Sequence, residues 1–247
     1  MTGLAIIGGT GLTSLKNLEI ERREVMHTPY GEPSGPLVHG TMCGRPVVFI
    51  PRHGTAHTIP PHEVNYRANL WALHHIGINK VIAVAAVGGI TAAMAPSTLV
   101  IPDQIIDYTW ARQHTFFQGD LVKVTHVDFT HPYSADLRAI LLQAGLASGL
   151  DVHDGGTYGA TQGPRLETAA EITRLERDGC DIVGMTGMPE AALARELELS
   201  YAACAVVANW AAGRGPGEIS MDDIEHNLKT GMDRVRALLE HVIPMVE

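Results

Sequence analysis

Short apolar segments rich in β-branched residues recur along this chain and alternate with stretches of helical periodicity. Residues 81–87 and 201–208, for example, are apolar throughout. A continuous apolar run of this length is typical of a strand buried on both faces, as in the sheets of α/β proteins. The predicted strands are 4–8, 47–50, 80–87, 98–101, 181–185 and 201–208.

Helical periodicity is clearest in four segments, and three of them follow a residue that can cap a helix. Ser134, Thr168 and Ser220 each precede an apolar stripe with helical spacing. Their hydroxyls can accept a hydrogen bond from the unpaired N–H groups of a first turn. Glu171 completes a capping box with Thr168. The predicted helices are 64–75, a helix after Ser134 that includes 137–144, 168–179 and a last helix that begins after Ser220.

The alternation of strands and helices predicts a layered α/β fold. A chain of 247 residues suits one large domain of this kind. We therefore expect a single α/β domain over residues 1–247, with a central mixed, largely parallel sheet flanked by helices. In such folds the binding site gathers where loops leave the ends of the strands.

Charge and composition limit the classes of partner. The formal net charge of −9 opposes extended binding of nucleic acid, which requires a basic surface. The apolar segments are too short to cross a bilayer, and no basic region precedes the first of them, so neither a membrane span nor a signal peptide is expected. Three cysteines form no even disulfide set, which favours a reducing cytoplasm.

The thirteen histidines raise the possibility of a metal site. His53, His57 and His62, and the pair His74 and His75, match no metal-ligand spacing. We therefore expect no bound metal.

Donors suited to an anion follow three of the predicted strands. Thr10 lies in a glycine-rich turn, Arg52 and His53 follow the second strand, and Thr186 follows the fifth. A guanidinium can hold phosphate through two parallel N–H bonds, an imidazole adds a donor, and a glycine-rich turn lets backbone N–H groups approach an anion. Each feature also has a structural alternative, namely a tight turn, a surface ion pair or a helix cap. Together they predict one anion site.

Glu167 and Asn209 end two other segments that lead to the same edge of the predicted sheet. A carboxylate only accepts hydrogen bonds, whereas a primary amide both donates and accepts. Hypoxanthine and guanine, which have an N–H beside a carbonyl, require that set of partners, and adenine does not. The structural alternatives are a charge at a helix start for Glu167 and a structural amide for Asn209.

Six sequence segments, in order over residues 4–240, resemble the trimeric purine nucleoside phosphorylase and methylthioadenosine phosphorylase family. This resemblance implies attack of phosphate on the anomeric carbon of a nucleoside, with phosphate as co-substrate, and neither metal nor organic cofactor. It also implies a homotrimer. The matching segments are 6–11, 51–54, 57–59, 64–69, 163–165 and 185–190.

The resemblance implies a role for each matching site residue. Phosphate would be held by Thr10, Arg52, His53 and Thr186, together with the backbone of Ala85 and Ala86, and Met185 would pack on the ribose. Relatives usually carry a hydroxyl residue where this chain has Ala85. One phosphate contact is therefore expected to be missing or replaced.

Resemblance to each of two branches of the family indicates a different part of the substrate. The overall frame resembles the methylthioadenosine enzymes, whereas Leu166-Glu167 and Asn209, together with Tyr158 near the sugar, resemble the enzymes that cleave inosine and guanosine. As the glycosidic bond breaks, Asn209 and Glu167 would stabilise the leaving base. Adenine would place its N1, which is an acceptor, against the Glu167 carboxylate, which is also an acceptor. The unpaired buried group would cost roughly 1–3 kcal/mol of binding free energy.

The 5′ substituent is predicted from the start of the last helix. By the same resemblance, Met221 occupies the position at which enzymes for unmodified nucleosides have a histidine. His126 aligns with a residue that, in the methylthio enzymes, reaches the site from a neighbouring subunit. Glu225 follows Met221 by one helical turn and would make the pocket more polar if it faced inward. We expect a keto-purine nucleoside with a methylthio group; the alternatives are methylthioadenosine, or inosine and guanosine.

Two hypotheses of other classes remain at this stage. The glycine-rich turn suits a dinucleotide-binding protein, but no acidic residue clearly ends the second strand to hold a ribose. A non-catalytic purine sensor would explain Glu167 and Asn209 and would leave Arg52 and His53 without a role.

Overall fold

The computed structural model describes residues 3–119 and 123–246. Over these residues, eleven strands form one sheet, and five helices accompany it. The strands are β1 (Gly3–Gly8), β2 (Glu19–Glu24), β3 (Leu37–Met42), β4 (Arg45–Pro51), β5 (Ile78–Gly89), β6 (Leu99–Ile101), β7 (Gln104–Asp107), β8 (Val152–Asp154), β9 (Thr157–Ala160), β10 (Ile182–Gly184) and β11 (Ser200–Trp210). The helices are α1 (Tyr66–His75), α2 (Ala135–Ala147), α3 (Ala169–Arg177), α4 (Gly187–Glu196) and α5 (Met221–Met245).

The sheet is mixed and largely parallel, as the sequence predicts. Its main path runs β2-β3-β4-β1-β5-β10-β9-β7, while β11 pairs with β5 and with β6, and β6 pairs with β8. The pairings β1/β4, β1/β5, β5/β11, β9/β10, β7/β9 and β6/β8 are parallel. The antiparallel pairs are β2/β3, β3/β4, β5/β10 and β6/β11.

Two hydrophobic cores lie on opposite faces of this sheet. Successive residues of β1 alternate between them, because side chains along a strand point to opposite faces. Ala5 and Ile7 join the core under α1 and α4, and Leu4 and Ile6 join the core under α2 and α5. The sandwich of helices around a buried sheet is therefore confirmed.

Strand β5 positions the functional residues because it has three partners. Its first part lies between β1 and β11, and its end pairs with β10 once β1 has stopped. Gly88 pairs with both Val183 and Asn209. A Cβ at Gly88 would lie 3.2 Å from the Val183 side chain, so little room exists for a larger residue at this junction.

The predicted helix starts are confirmed in detail. The Ser134, Thr168 and Ser220 hydroxyls accept from the backbone N–H groups of Leu137, Glu171 and Asp223, and the capping box of Thr168 with Glu171 is complete. Strands β2, β3, β7, β8 and β9 were not predicted; β2 is an exposed edge strand with the sequence EIERRE. Helix α4 was also missed, because its start runs through Met188 and Pro189 with non-helical backbone angles at Met188.

In the part of the chain that the structure describes, none of the helices combines the length and the apolar character that crossing a bilayer would need.

Candidate active site

Eleven of the thirteen predicted site residues line one cavity of about 460 Å³. It opens where β1, β4, β5, β10 and β11 end, as expected for an α/β sheet. The predicted residues that line it are Thr10, Arg52, His53, Ala85, Ala86, Leu166, Glu167, Met185, Thr186, Asn209 and Met221. Tyr158 and His126 are not among its lining residues.

Arg52 is the most buried charged residue of this cavity. Its side chain is 1% exposed and that of Glu190 is 0% exposed. Arg52 Nε donates to Glu190 Oε2 at 2.7 Å, and Nη2 donates to Oε1 at 2.8 Å. Arg52 Nη1 donates to the Val84 carbonyl at 2.8 Å, and Tyr201 Oη donates to Glu190 Oε1 at 2.8 Å.

This ion pair limits which N–H groups of Arg52 can hold an anion. Nε and one hydrogen of Nη2 hold Glu190. An arginine has five N–H donors, so one hydrogen on each of Nη1 and Nη2 of Arg52 is left for an anion. Burial acts to lower the pKa of Arg52, but the Glu190 carboxylate outweighs it and the net pKa is raised.

The glycine-rich turn after β1 gives Arg52 its room. A Cβ on Gly9 would lie 2.5 Å from the Val84 carbonyl oxygen and 2.9 Å from Arg52 Nη1. Contacts this short are not tolerated, so a side chain at Gly9 would displace the guanidinium. The turn thus lets backbone and cation approach each other closely.

His53 is oriented by a backbone carbonyl. Its Nδ1 lies 2.8 Å from the Ile59 carbonyl oxygen, which can only accept, so Nδ1 carries the hydrogen. Burial, and then the Arg52 guanidinium, lower the pKa of His53 to about 4. The ring is therefore neutral at pH 7, and Nε2 is an acceptor. This corrects the expectation that His53 adds a donor, because it can instead accept from the hydroxyl of a protonated phosphate.

The lowered pKa predicts a pH-dependent stability. The unfolded histidine binds a proton near pH 6.5 and the folded one near pH 4, so stability is complete above pH 6.5 and falls as the pH drops towards 4. We expect His53 to account for about 2 kcal/mol of the loss between pH 7 and pH 4.5. Urea unfolding of the wild type and of His53→Gln at pH 7 and pH 4.5 measures it. Equal losses in both proteins would contradict the assignment.

The other residues predicted to bind an anion line the same cavity as Arg52. The Thr10 hydroxyl is 3.1 Å from Nε2 of His57, an exposed histidine at the mouth of the cavity. Thr186 is 7% exposed. Ala85 and Ala86 line the cavity from β5 without a side-chain donor. Hydroxyl contacts to an anion are therefore restricted to Thr10, Thr186 and Thr58 among the lining residues.

Glu167 is half-buried and is held by a threonine. The Thr161 hydroxyl donates to Glu167 Oε1 at 2.6 Å. The backbone N–H of Thr161 donates to the Gly184 carbonyl at 2.8 Å, which ties this loop to the end of β10. With Oε1 taken by Thr161, Oε2 is the oxygen left to accept from a ligand.

Asn209 reaches the same cavity because of a bulge in β11. The register with β5 shifts between Val207 and Asn209, so Ala208 is the additional residue that turns Asn209 towards the cavity. Asn227 of α5 fixes the bulge by donating to the Ala208 carbonyl at 3.0 Å. Asn209 Nδ2 donates to the Trp210 carbonyl at 2.7 Å, which leaves one N–H and Oδ1 for a ligand.

The two other residues predicted near the sugar lie in different environments. Met185 is half-buried and lines the cavity. Tyr158 is 1% exposed and lies below the loop that carries Thr186, with its hydroxyl 3.4 Å from the Thr186 backbone nitrogen. In this chain Tyr158 therefore supports the loop that carries Thr186.

The start of α5 gives the cavity an apolar wall. Met221, Ile224 and Leu228 face the cavity at helical spacing, and Ile219 precedes them. Glu225 is exposed and is not among the lining residues, so its carboxylate does not enter this wall. Met221 is itself 68% exposed, so Ile224 and Leu228 form the better-enclosed part of the surface.

His126 lies outside the cavity of its own chain. It is exposed, in a segment without regular secondary structure, and Val124 and Val127 beside it are 75% and 39% exposed. Its predicted contact therefore requires a second subunit. Over the described ranges 3–119 and 123–246, no cluster of three or more His, Cys, Asp or Glu side chains could hold a metal ion.

Sequence reasoning missed several residues that shape the site. Glu190 lay inside a matched segment, yet its partner Arg52 is 138 positions away. Thr161, which holds Glu167, carried no recognisable signal. His57 belongs to a matched segment, but its spacing of four from His53 does not indicate its contact with Thr10.

Comparisons with known proteins find matches over almost the whole chain. The family model described as the phosphorylase superfamily matches residues 4–244. A protein of Pseudomonas syringae pv. tomato, named probable S-methyl-5′-thioinosine phosphorylase, is 57% identical over 243 residues, which are 98% of this chain and 99% of that protein. The 6-oxopurine nucleoside phosphorylase of Pyrococcus furiosus is 42% identical, with 100% of this chain and 94% of that protein covered.

A solved structure shows the same fold. The methylthioadenosine phosphorylase from Schistosoma mansoni, in complex with adenine, superposes with a TM-score of 0.94 at 31% identity. The match covers 99% of this chain and 92% of that one.

Proposed function

Because this chain belongs to the phosphorylase superfamily, we propose that it cleaves S-methyl-5′-thioinosine with inorganic phosphate. The products are hypoxanthine and 5-methylthioribose 1-phosphate. The main support is one arrangement: Glu167 and Asn209 line the same cavity as the apolar wall of Ile224 and Leu228. A keto-purine edge and a methylthio group need these two surfaces at opposite ends of one site.

The reaction exchanges one bond at the anomeric carbon. A phosphate oxygen forms the new bond to C1′, and the electron pair of the C1′–N9 bond stays with the purine. The proton of hydrogen phosphate ends on the free base. Catalysis consists of orienting phosphate below the sugar and stabilising the charge that develops on the base.

Glu167 and Asn209 recognise the base. Glu167 Oε2 accepts from N1–H, since Thr161 already holds Oε1. The N–H of Asn209 that Trp210 does not use donates to O6, and Oδ1 accepts from the N7–H of the departing base. The bond from Asn209 to O6 strengthens as the purine becomes negative, and the bond to Oδ1 forms when N7 takes up its proton, so both lower the barrier.

Phosphate binds among Thr10, Arg52, His53 and Thr186, and the Ala85-Ala86 backbone lies beside it. Arg52 contributes the two N–H groups that Glu190 and Val84 leave. Nε2 of the neutral His53 accepts a hydrogen bond from the phosphate hydroxyl. Met185 packs on the ribose, and Leu166 covers the base from the loop that carries Glu167.

The methylthio group lies against α5. Met221 and Ile224 give it an apolar, polarizable surface. In this proposal the enzyme is one domain over residues 1–247 and acts in the cytoplasm. It uses phosphate as co-substrate and no cofactor. It assembles as a homotrimer in which His126 reaches the site of a neighbouring subunit. The exposed Val124 and Val127 beside His126 suit burial in such an interface.

One assay tests the assignment. Release of free base is measured from S-methyl-5′-thioinosine, methylthioadenosine and inosine, each with and without phosphate. We expect phosphate-dependent release, with the highest kcat/KM for S-methyl-5′-thioinosine. A higher kcat/KM for methylthioadenosine would refute the base assignment, and a higher value for inosine would refute the methylthio pocket. Binding without turnover would favour the purine sensor.

A substitution in the apolar wall tests the methylthio pocket separately. In Ile224→Asn, the amide can bond a 5′-hydroxyl but loses apolar contact with a methylthio group. We expect the kcat/KM ratio of S-methyl-5′-thioinosine to inosine to fall about ten-fold. Glu225→Ala, an exposed neighbour on the same turn, is the control and should leave the ratio unchanged. An equal change in both variants would count against the pocket.

A further inference from the structure

Arg112 is a buried cation outside the six sequence segments that carry the family resemblance. It follows β7, is 8% exposed, and its guanidinium carbon lies 5.6 Å from the centre of the Tyr66 ring. Nη1 donates to the carbonyls of Met185 at 2.8 Å and Met188 at 2.6 Å. Nη2 donates to the carbonyls of Thr161 at 3.2 Å and Gln162 at 2.7 Å. Nε donates to Gln162 Oε1 at 3.0 Å.

These contacts join the two loops that hold opposite ends of the substrate. Thr161 binds Glu167 and leads to it, so this loop carries the base-reading carboxylate. Met185 and Met188 flank Thr186, so the other loop carries sugar and phosphate contacts. A single planar guanidinium bonded to both loops fixes the separation of Glu167 from Thr186.

No carboxylate within residues 3–119 and 123–246 accepts a hydrogen bond from Arg112. Among the described residues, each hydrogen-bond acceptor of Arg112 is a carbonyl, an amide or a hydroxyl oxygen. Arg52, by contrast, is neutralised by Glu190. The predicted phosphate site therefore contains a balanced ion pair and a neutral His53, with the positive charge of Arg112 behind the Thr186 loop.

We propose that Arg112 is a positioning residue that sets the distance between the base loop and the phosphate loop and supplies the uncompensated positive charge that attracts phosphate. This role rests on the proposed phosphorolysis. It differs from a role in folding alone, because charge and geometry affect different measurable quantities. Loss of charge raises the KM for phosphate, and loss of the planar fork lowers kcat.

Three variants separate the two contributions. Arg112→Gln keeps an amide that can donate to carbonyls but removes the charge, and Arg112→Lys keeps the charge but removes the fork. Arg234→Met is the matched control, because Arg234 also donates to carbonyls, those of Ser97 and Asp151. It belongs to α5 and is not among the lining residues of the cavity.

We expect Arg112→Gln to raise the KM for phosphate about ten-fold or more. Arg112→Lys should keep that KM within about three-fold of the wild type and lose kcat about ten-fold. Arg234→Met should lower thermal stability without changing either constant. A KM for phosphate that is unchanged in Arg112→Gln, or raised equally in Arg112→Lys, would overturn the charge role. An unchanged kcat in Arg112→Lys would overturn the positioning role.

Binding of inorganic phosphate alone distinguishes this inference from the proposed function. Calorimetric titration of phosphate into the four proteins needs no nucleoside. If the wild type cleaves none of the three nucleosides but Arg112→Gln still binds phosphate about ten-fold more weakly than Arg112→Lys, the proposed substrate is wrong and the charge role stands. Equal phosphate affinity in these two variants refutes the charge role whatever the wild type cleaves.

Discussion

Replacing Glu190 by alanine is expected to lower the free energy of unfolding by about 3–5 kcal/mol. The Arg52 guanidinium would lose both carboxylate bonds while remaining 1% exposed, and a buried charge without a partner is strongly unfavourable. The Tyr201 hydroxyl would lose its acceptor at the same time. Urea unfolding at pH 7 measures the change through the midpoint at constant slope.

An exposed ion pair provides the control. Asp233 accepts from Arg236 at 2.7 Å, and its side chain is 68% exposed. Because solvent screens such a pair, Asp233→Ala should change the free energy of unfolding by less than about 1 kcal/mol. The difference between the two variants then reports burial rather than the loss of any ion pair.

A double replacement identifies the cause of the loss. In Arg52→Met with Glu190→Met, no buried charge remains, so the double variant should be more stable than either single methionine variant. A double variant whose loss equals the sum of the single losses would show that the pair is not coupled. A loss below about 1 kcal/mol in Glu190→Ala would contradict the buried ion pair itself.

The sequence identified the strands and helices whose pattern is local. β1, β5 and β11 each contain a continuous apolar run, and the caps at Ser134, Thr168 and Ser220 depend on residues within one turn. Strand β2 carries no such pattern, because an edge strand exposed on both faces needs no apolar residue.

The site residues were also predictable only as far as their environment was local. Arg52 and Glu167 stand at predicted segment ends, and the structure brings both to one cavity. Glu190 accepts from Arg52, and Thr161 donates to Glu167, so each uses part of the hydrogen-bonding capacity of a site residue. Both belong to other segments of the chain and reach these site residues only when the sheet forms. The number of donors and acceptors that a side chain has left for a ligand therefore depends on contacts that spacing does not reveal.

Thr161 gives that principle a measurable consequence for base selection. Its hydroxyl donates to one oxygen of Glu167 at 2.6 Å, so it distinguishes the two ends of the carboxylate. In Glu167→Gln, the amide oxygen is the one side-chain atom of the glutamine that can accept from Thr161, and the other acceptor in range, the Gly184 carbonyl, is farther away at 3.3 Å. The amide NH2 must then take the position of Oε2 and face N1 of the base.

We expect Glu167→Gln to favour 6-aminopurines. Hypoxanthine would present N1–H to a donor, whereas adenine would present an N1 acceptor to it. An opposed buried pair costs about 1–3 kcal/mol, and the change has opposite signs for the two bases, so the kcat/KM ratio of methylthioadenosine to S-methyl-5′-thioinosine should rise about 100-fold or more. Steady-state kinetics of both nucleosides at saturating phosphate measure this ratio.

The combination of Glu167→Gln with Thr161→Val tests whether Thr161 causes the change. Without the hydroxyl, the amide can turn, and its oxygen can again accept from N1–H, so the ratio should fall back towards that of the wild type. Thr161→Val alone leaves a carboxylate whose two oxygens are equivalent acceptors, so it should retain the preference for the 6-oxopurine. A Glu167→Gln enzyme that still prefers S-methyl-5′-thioinosine would mean that Glu167 does not contact N1, and a double variant with the same ratio as the single one would mean that Thr161 does not orient the side chain.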